Sequence, residues 1–186
     1  MVSLMSLWLP ILLSAVVVFV ASSMVHTVLG YHRNDFARLP REDEVMRALA
    51  GIDIPPGDYM MPWAGTGAGM KDPAYIEKRA RGPVAIMTVM PSGPIGMGGS
   101  LAMWFGFTVV VSIFAAYVAS RALAPDAMYL DVFRMAGTTA FAGYALALAQ
   151  GSIWFHRGWR STLISMFDGL VYALLTGGVM GWLWPR

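Results

Sequence analysis

The chain contains no cysteine, which removes disulfides, zinc–thiolate and iron–sulfur sites and thiol nucleophiles from consideration. Charge is scarce as well: Asp, Glu, Lys and Arg together make up 13% of the 186 residues, about half the usual share of a soluble globular protein. A formal net charge of +2 is too small to imply a nucleic-acid partner. The alternating apolar and polar segments that build a membrane barrel are also missing. What remains is apolar, with 57% hydrophobic residues and a mean hydropathy of +0.58. The length suits one domain, and the composition suits a chain whose solvent is partly lipid.

An α-helix needs about 20 predominantly apolar residues to cross the hydrocarbon of a bilayer. Four stretches qualify, at about residues 4–29, 101–119, 135–153 and 163–184. No acidic or basic residue precedes Arg33, and the fourth stretch carries only Asp168. Because lipid offers no hydrogen bonds, these stretches are expected to be helices. The expected fold is all-α and integral to the membrane. It is a single domain, a four-transmembrane-helix bundle with a long structured loop, about residues 31–100, between helices 1 and 2. The first run is expected to be a retained helix, since it lacks a basic start and exceeds the ~7–15 apolar residues of a signal peptide. Ten basic residues flank the loop side and three (Arg121, Arg134 and Arg186) the other. The positive-inside rule then puts the loop in the cytoplasm and both termini outside it.

The long loop carries its own signals. Pro40, the acids Glu42, Asp43 and Glu44, and Gly51 bracket a short helix. Asp72 as N-cap, Pro73 at the first position and the stop Gly82–Pro83 bracket another. Tyr59 to Trp63 forms an apolar hook. The Pro- and Gly-broken stretch from Pro83 to Gly99 reads as an extended segment against the bundle. Gly65-Thr66-Gly67-Ala68-Gly69-Met70-Lys71 fails the phosphate-loop pattern, which needs Gly directly before Lys and Ser or Thr after it. Nucleotide binding is therefore not expected. Small residues at four-residue spacing, Thr139, Gly143, Ala147 and Gly151 in the third helix and Gly177 and Gly181 in the fourth, predict close helix packing within the bundle.

An acid inside an apolar helix is costly and marks a site by default. Asp168 lies roughly 7–8 Å into the fourth run, and His26 roughly 6 Å short of the end of the first. With Gln150 near the end of the third, His26, Gln150 and Asp168 fall in one layer at the loop end. Such a layer serves as a hydrogen-bonded clasp or as a proton- or ligand-holding site. Fifteen methionines suggest copper, with Met24, His26 and His32 as ligands at one helix end, although Met also fills apolar gaps. A haem held by His26 with His32 or His156 is a further alternative. No Gly-x-Ser-x-Gly or other nucleophile motif appears.

The second half resembles a family of small bacterial four-helix membrane proteins, a domain of unknown function. The likeness is carried by the turn Trp154 to Trp159, then Ser161-Thr162-Leu163-Ile164, Asp168-Gly169, Thr176-Gly177-Gly178 and Gly181-Trp182-Leu183-Trp184-Pro185. Trp8-Leu9-Pro10 and Ala21-Ser22-Ser23 before His26 add to it. The resemblance implies a bacterial inner-membrane bundle and brings no reaction with it. The expected function is that of a structural or accessory membrane protein without catalytic activity. Its partners would be the bilayer and either further copies of itself or a larger membrane complex. The alternative is proton-coupled or metal handling, with copper, through the His/Asp layer.

Overall fold

A computed structural model describes residues 2–94 and 96–185; Arg186, counted in the charge asymmetry, lies outside them. The described residues fall into two compact units, one within Met1–Ala37 and Gly96–Arg186, the other within Arg38–Ile95. The first unit holds four helical stretches long and apolar enough to cross a membrane: Leu4–Leu29, Gly98–Ala122, Tyr129–Phe155 and Trp159–Trp182.

Helix α1, Trp8–Met24, follows a 3-10 turn at Leu4–Leu7. Pro10 is tolerated there because the first-turn amides have no intrahelical acceptor to lose. The helix then widens into a π-helical turn, Val25–Leu29, and stops at Gly30 in the left-handed conformation. Another 3-10 turn, Tyr31–Asn34, follows.

The second unit contains α2, Glu42–Ala50, and then β1, Gly57–Met61. Helix α3, Pro73–Arg81, and β2, Ala85–Val89, complete it. Helix α3 begins and ends where the sequence signals place it. The Asp72 carboxylate accepts the Ala74 amide at 2.8 Å, and Gly82 leaves the helix at φ +66°. Helix α2 starts two residues after Pro40, with Arg41 left-handed before it and paired to Glu44.

The strands correct the all-helical expectation. β1 and β2 pair antiparallel, Gly57 opposite Val89 and Met61 opposite Ala85, and the Thr88 hydroxyl bonds Asp58 across them at 2.6 Å. The apolar hook is mostly β1, and the segment from Pro83 to Gly99 contains β2. Within that extended segment, Pro83 and Pro91 bound the strand. Its partner lies beyond α3 in the chain, so local pattern could not reveal the pairing.

In the first unit α4, Gly98–Ala122, leads to α5, Tyr129–Tyr144. The expected third helix, residues 135–153, differs at both ends and in the middle. It begins six residues earlier because Asp131 and Arg134 are accommodated in its first turns. It also breaks after Tyr144, passing through a 3-10 turn at Leu146–Leu148 into α6, Ala149–Phe155. Helix α7, Trp159–Trp182, is continuous.

Helix α7 packs along α5, and glycine makes this contact possible. A Cβ on Gly177 would sit 2.7 Å from the Phe133 carbonyl oxygen, and one on Gly181 2.8 Å from the Tyr129 ring. A Cβ on Gly169 would lie 2.9 Å from Cβ of Ala145, at the break between α5 and α6. Ala136, Ala140 and Ala173, all buried, extend the close seam. Gly143 instead faces Val111 of α4.

Gly177→Ala is therefore expected to destabilise the bundle by about 1–3 kcal/mol through overpacking against α5 backbone. Gly106→Ala, where a Cβ meets nothing within 4 Å, is expected to be neutral or stabilising. Thermal unfolding in detergent compares the two, and equal midpoints would contradict the packing argument.

Candidate functional site

The cluster lies at the loop end of the bundle, where the chain leaves α1. Its centre is Asp168 of α7, whose side chain is only 4% exposed. Both carboxylate oxygens are engaged. Oδ1 accepts the Tyr31 hydroxyl, and Oδ2 meets His32 Nε2 at 2.6 Å. His32 Nδ1 in turn meets Asp35 Oδ2 at 2.6 Å. The result is a hydrogen-bonded chain, Asp35–His32–Asp168–Tyr31.

Backbone irregularity brings these side chains together. The π-helical turn shifts His26 relative to a regular helix, and its Nδ1 bonds the Ser22 carbonyl at 2.9 Å. Gly30, at φ +62°, turns the chain so that Tyr31 and His32 come back onto α7. A side chain at Gly30 would be strained there and would crowd Arg33. The rings of His26 and His32 end up stacked, with centroids 4.5 Å apart and planes 8° from parallel.

Burial disfavours a charged His32 ring, but the hydrogen bonds and charges of Asp35 and Asp168 outweigh it and raise the pKa above the ordinary histidine value. The His32 hydrogen bond holds Asp35 below the usual carboxylate value against burial, helped by Ser161 and by the Arg160 charge. Burial first, and then the bond to Asp168 and its charge, push the Tyr31 hydroxyl up to about 12. Tyr31 is thus a phenol that donates at any physiological pH.

One ligand-capable atom from each of His26, His32 and Asp168 lies within 4.8 Å of the other two. Both imidazoles have Nδ1 occupied, His26 by a backbone carbonyl and His32 by a carboxylate. Each therefore has Nε2 left as its candidate ligand atom, which in His32 is the nitrogen now bonded to Asp168. This is the outer-shell pattern that orients metal-binding histidines.

The sequence layer named His26, Gln150 and Asp168. The structure brings His26 and Asp168 together and adds His32, Tyr31 and Asp35. Gln150, exposed on α6, joins the centre through none of the described hydrogen bonds. Met24 is 59% exposed, and His156, also exposed, ends α6 in the left-handed conformation. Stacked His26 and His32 rings leave no room for a macrocycle between them. The missed residues had one signal, a glycine ending the apolar run immediately before Tyr31-His32.

No protein-family model, curated protein or solved structure matches this chain.

Two outcomes are expected for metal-free protein. Tyr31→Phe removes a donor from a buried carboxylate and should cost about 1.5–3 kcal/mol. The pH dependence has a defined sign. His32, raised above 6.5, stabilises fully below that value, and its contribution is lost as pH climbs through the folded-state pKa. Asp35, lowered below 3.8, contributes above that value and fails as pH drops through its folded-state pKa. Thermal midpoints across pH should show the alkaline limb, and His32→Gln should flatten it. An unchanged limb would reject the assignment.

Proposed function

We propose that this chain is a multi-pass protein of the bacterial inner membrane that holds a divalent transition-metal ion at the loop end of its bundle. His26, His32 and Asp168 are the ligands. The observation that carries this reading is the pair of histidines whose Nδ1 atoms are already tied, beside a buried carboxylate. Two nitrogens and one oxygen form a borderline donor set, suited to zinc or ferrous iron more than to the thioether-seeking Cu(I). Tetrahedral ligands at zinc stand roughly 3.3 Å apart, given bonds near 2.0–2.1 Å. From the present geometry, the His32–Asp168 contact opens by under an ångström while His26 closes on both. Three protein ligands leave one position open for water or an exchanging ligand. The role is accessory, the binding or handing-on of metal, and no catalytic step is assigned.

Four candidate spans support the membrane setting. The basic residues support a cytoplasmic loop end, which would place the metal centre on the side where the cell supplies metal ions. A homo-oligomer or a larger membrane complex fits the same role.

The test is metal content and titration of the purified protein in mild detergent. Near-stoichiometric zinc or iron is expected, or tetrahedral d–d bands after cobalt substitution. His32→Gln and Asp168→Asn should abolish binding, and Asp35→Asn should weaken it by about 10–100-fold as an outer-shell change. His156→Gln should leave it unchanged. A colourless protein that binds no divalent metal would overturn the metal reading and leave the chain Asp35–His32–Asp168–Tyr31 as a structural clasp.

A further inference from the structure

The bundle interior below Asp168 is polar in an uneven way. Serine and threonine inside an apolar helix ordinarily bond a carbonyl of their own preceding turn. Ser22, Thr108, Ser120, Thr139 and Thr176 all do so here. Ser14 and Ser112 do not, and neither buried hydroxyl has a hydrogen-bond partner among the described residues. The hydroxyls of Tyr144 and Tyr172, residues 6% and 4% exposed, likewise have no hydrogen-bond partner among the described residues. Each such group costs free energy in an apolar interior unless something bonds it.

The four belong to one region. Tyr172 follows Asp168 by one turn of α7, and its ring lies 5.7 Å from that of Tyr144. The Tyr144 hydroxyl faces Thr176 and Ser112, short of direct hydrogen-bond geometry. Thr108 reaches the Ala15 carbonyl at 3.4 Å, which sets Ser14 within about one helical turn of Ser112. The file therefore descends from Asp168 through Tyr172 and Tyr144 to the Ser112 and Ser14 level. Beyond it the buried side chains Leu7, Val132, Ala136 and Met180 are apolar and fully enclosed.

The broken helix borders the same region, since Gly169 abuts Tyr144 and Ala145 at the α5–α6 break. Irregular backbone at membrane depth is tolerated only where protein buries it or where it lines a water-filled cavity. We infer that water occupies this file, forming a half-channel that opens past Asp168 and ends against the apolar layer. The hydroxyls are its lining, and the chemistry it admits is water and the protons water carries to mid-membrane. The inference rests on the membrane reading but not on metal, and its test uses chelator-treated protein.

Hydroxyl radicals made by a brief X-ray pulse arise from local water and mark the side chains beside it. In chelated protein held in lipid nanodiscs, Tyr144 and Tyr172 should be modified within about tenfold of the rate at Tyr75 of α3, outside the spans. Met180, the more oxidisable residue type, should lag exposed Met70 by more than about tenfold because no water reaches it. Tyr144 and Tyr172 as silent as Met180 would overturn the inference, and rapid oxidation of Met180 would overturn the seal. Stability gives a second reading. Ser112→Ala and Ser14→Ala should lower the unfolding midpoint, because each deletes a hydrated hydroxyl. A raised midpoint would mean that the hydroxyls are dry orphans, and the half-channel would be rejected.

Discussion

One buried carboxylate constrains everything near it. Asp168 sits well inside an apolar helix, and an isolated ionised acid there would be costly enough to deform the fold or to take up a proton. The chain meets that cost locally. Tyr31 donates to one oxygen and His32 meets the other, while Asp35 fixes the far side of the imidazole. None of these partners comes from a regular helix. They come from the segment immediately after α1, so how that helix ends decides whether the acid can be buried at all.

Three departures from regular helix meet around this residue. The π-helical turn carries His26, left-handed Gly30 returns Tyr31 and His32 to α7, and the α5–α6 break lies against Gly169. A π-turn and a broken helix each give up some backbone regularity, and both recur at functional sites. Their convergence on one acid argues that the irregularity is positional. The close α5–α7 seam makes it affordable, since glycine and alanine let the two helices brace the break from the side.

Much of the architecture was legible in the sequence, because long charge-poor runs and capping residues are local signals. Four apolar runs, the Asp72–Pro73 start and the Gly82 stop all follow from neighbours in the chain. The hairpin was not legible, because Tyr59 pairs with Met87 across the intervening α3. Nor was the break at Tyr144, since no proline marks it and what lies against it, Gly169, belongs to another helix. For the site, depth counting joined His26 to Asp168 but drew in Gln150, because depth says nothing of rotation about the helix axis. His32 was grouped with Met24 on chain proximity. What sets its actual partner is the reversal at Gly30, a tertiary event with only a single glycine as its trace.

The clasp and the proposed metal centre are two states of the same atoms. His32 Nε2 can carry the proton of its bond to Asp168 or bind a cation, and it cannot do both at once. A bound metal ion would take the place of that proton, with His32 Nε2 and Asp168 as ligands and the proton released to solvent. Tyr31 need not move in that exchange, because it bonds the other oxygen and stays protonated to about pH 12. Asp35 likewise keeps its hold on Nδ1 in either state. The outer partners therefore keep the ligands oriented when no ion is bound, so a site preorganised for metal and a structural clasp share one geometry. Only the position of His26, stacked on His32 but outside the hydrogen-bonded chain, separates the two purposes. A clasp makes no use of that exposed second imidazole, whereas the proposed three-ligand centre would.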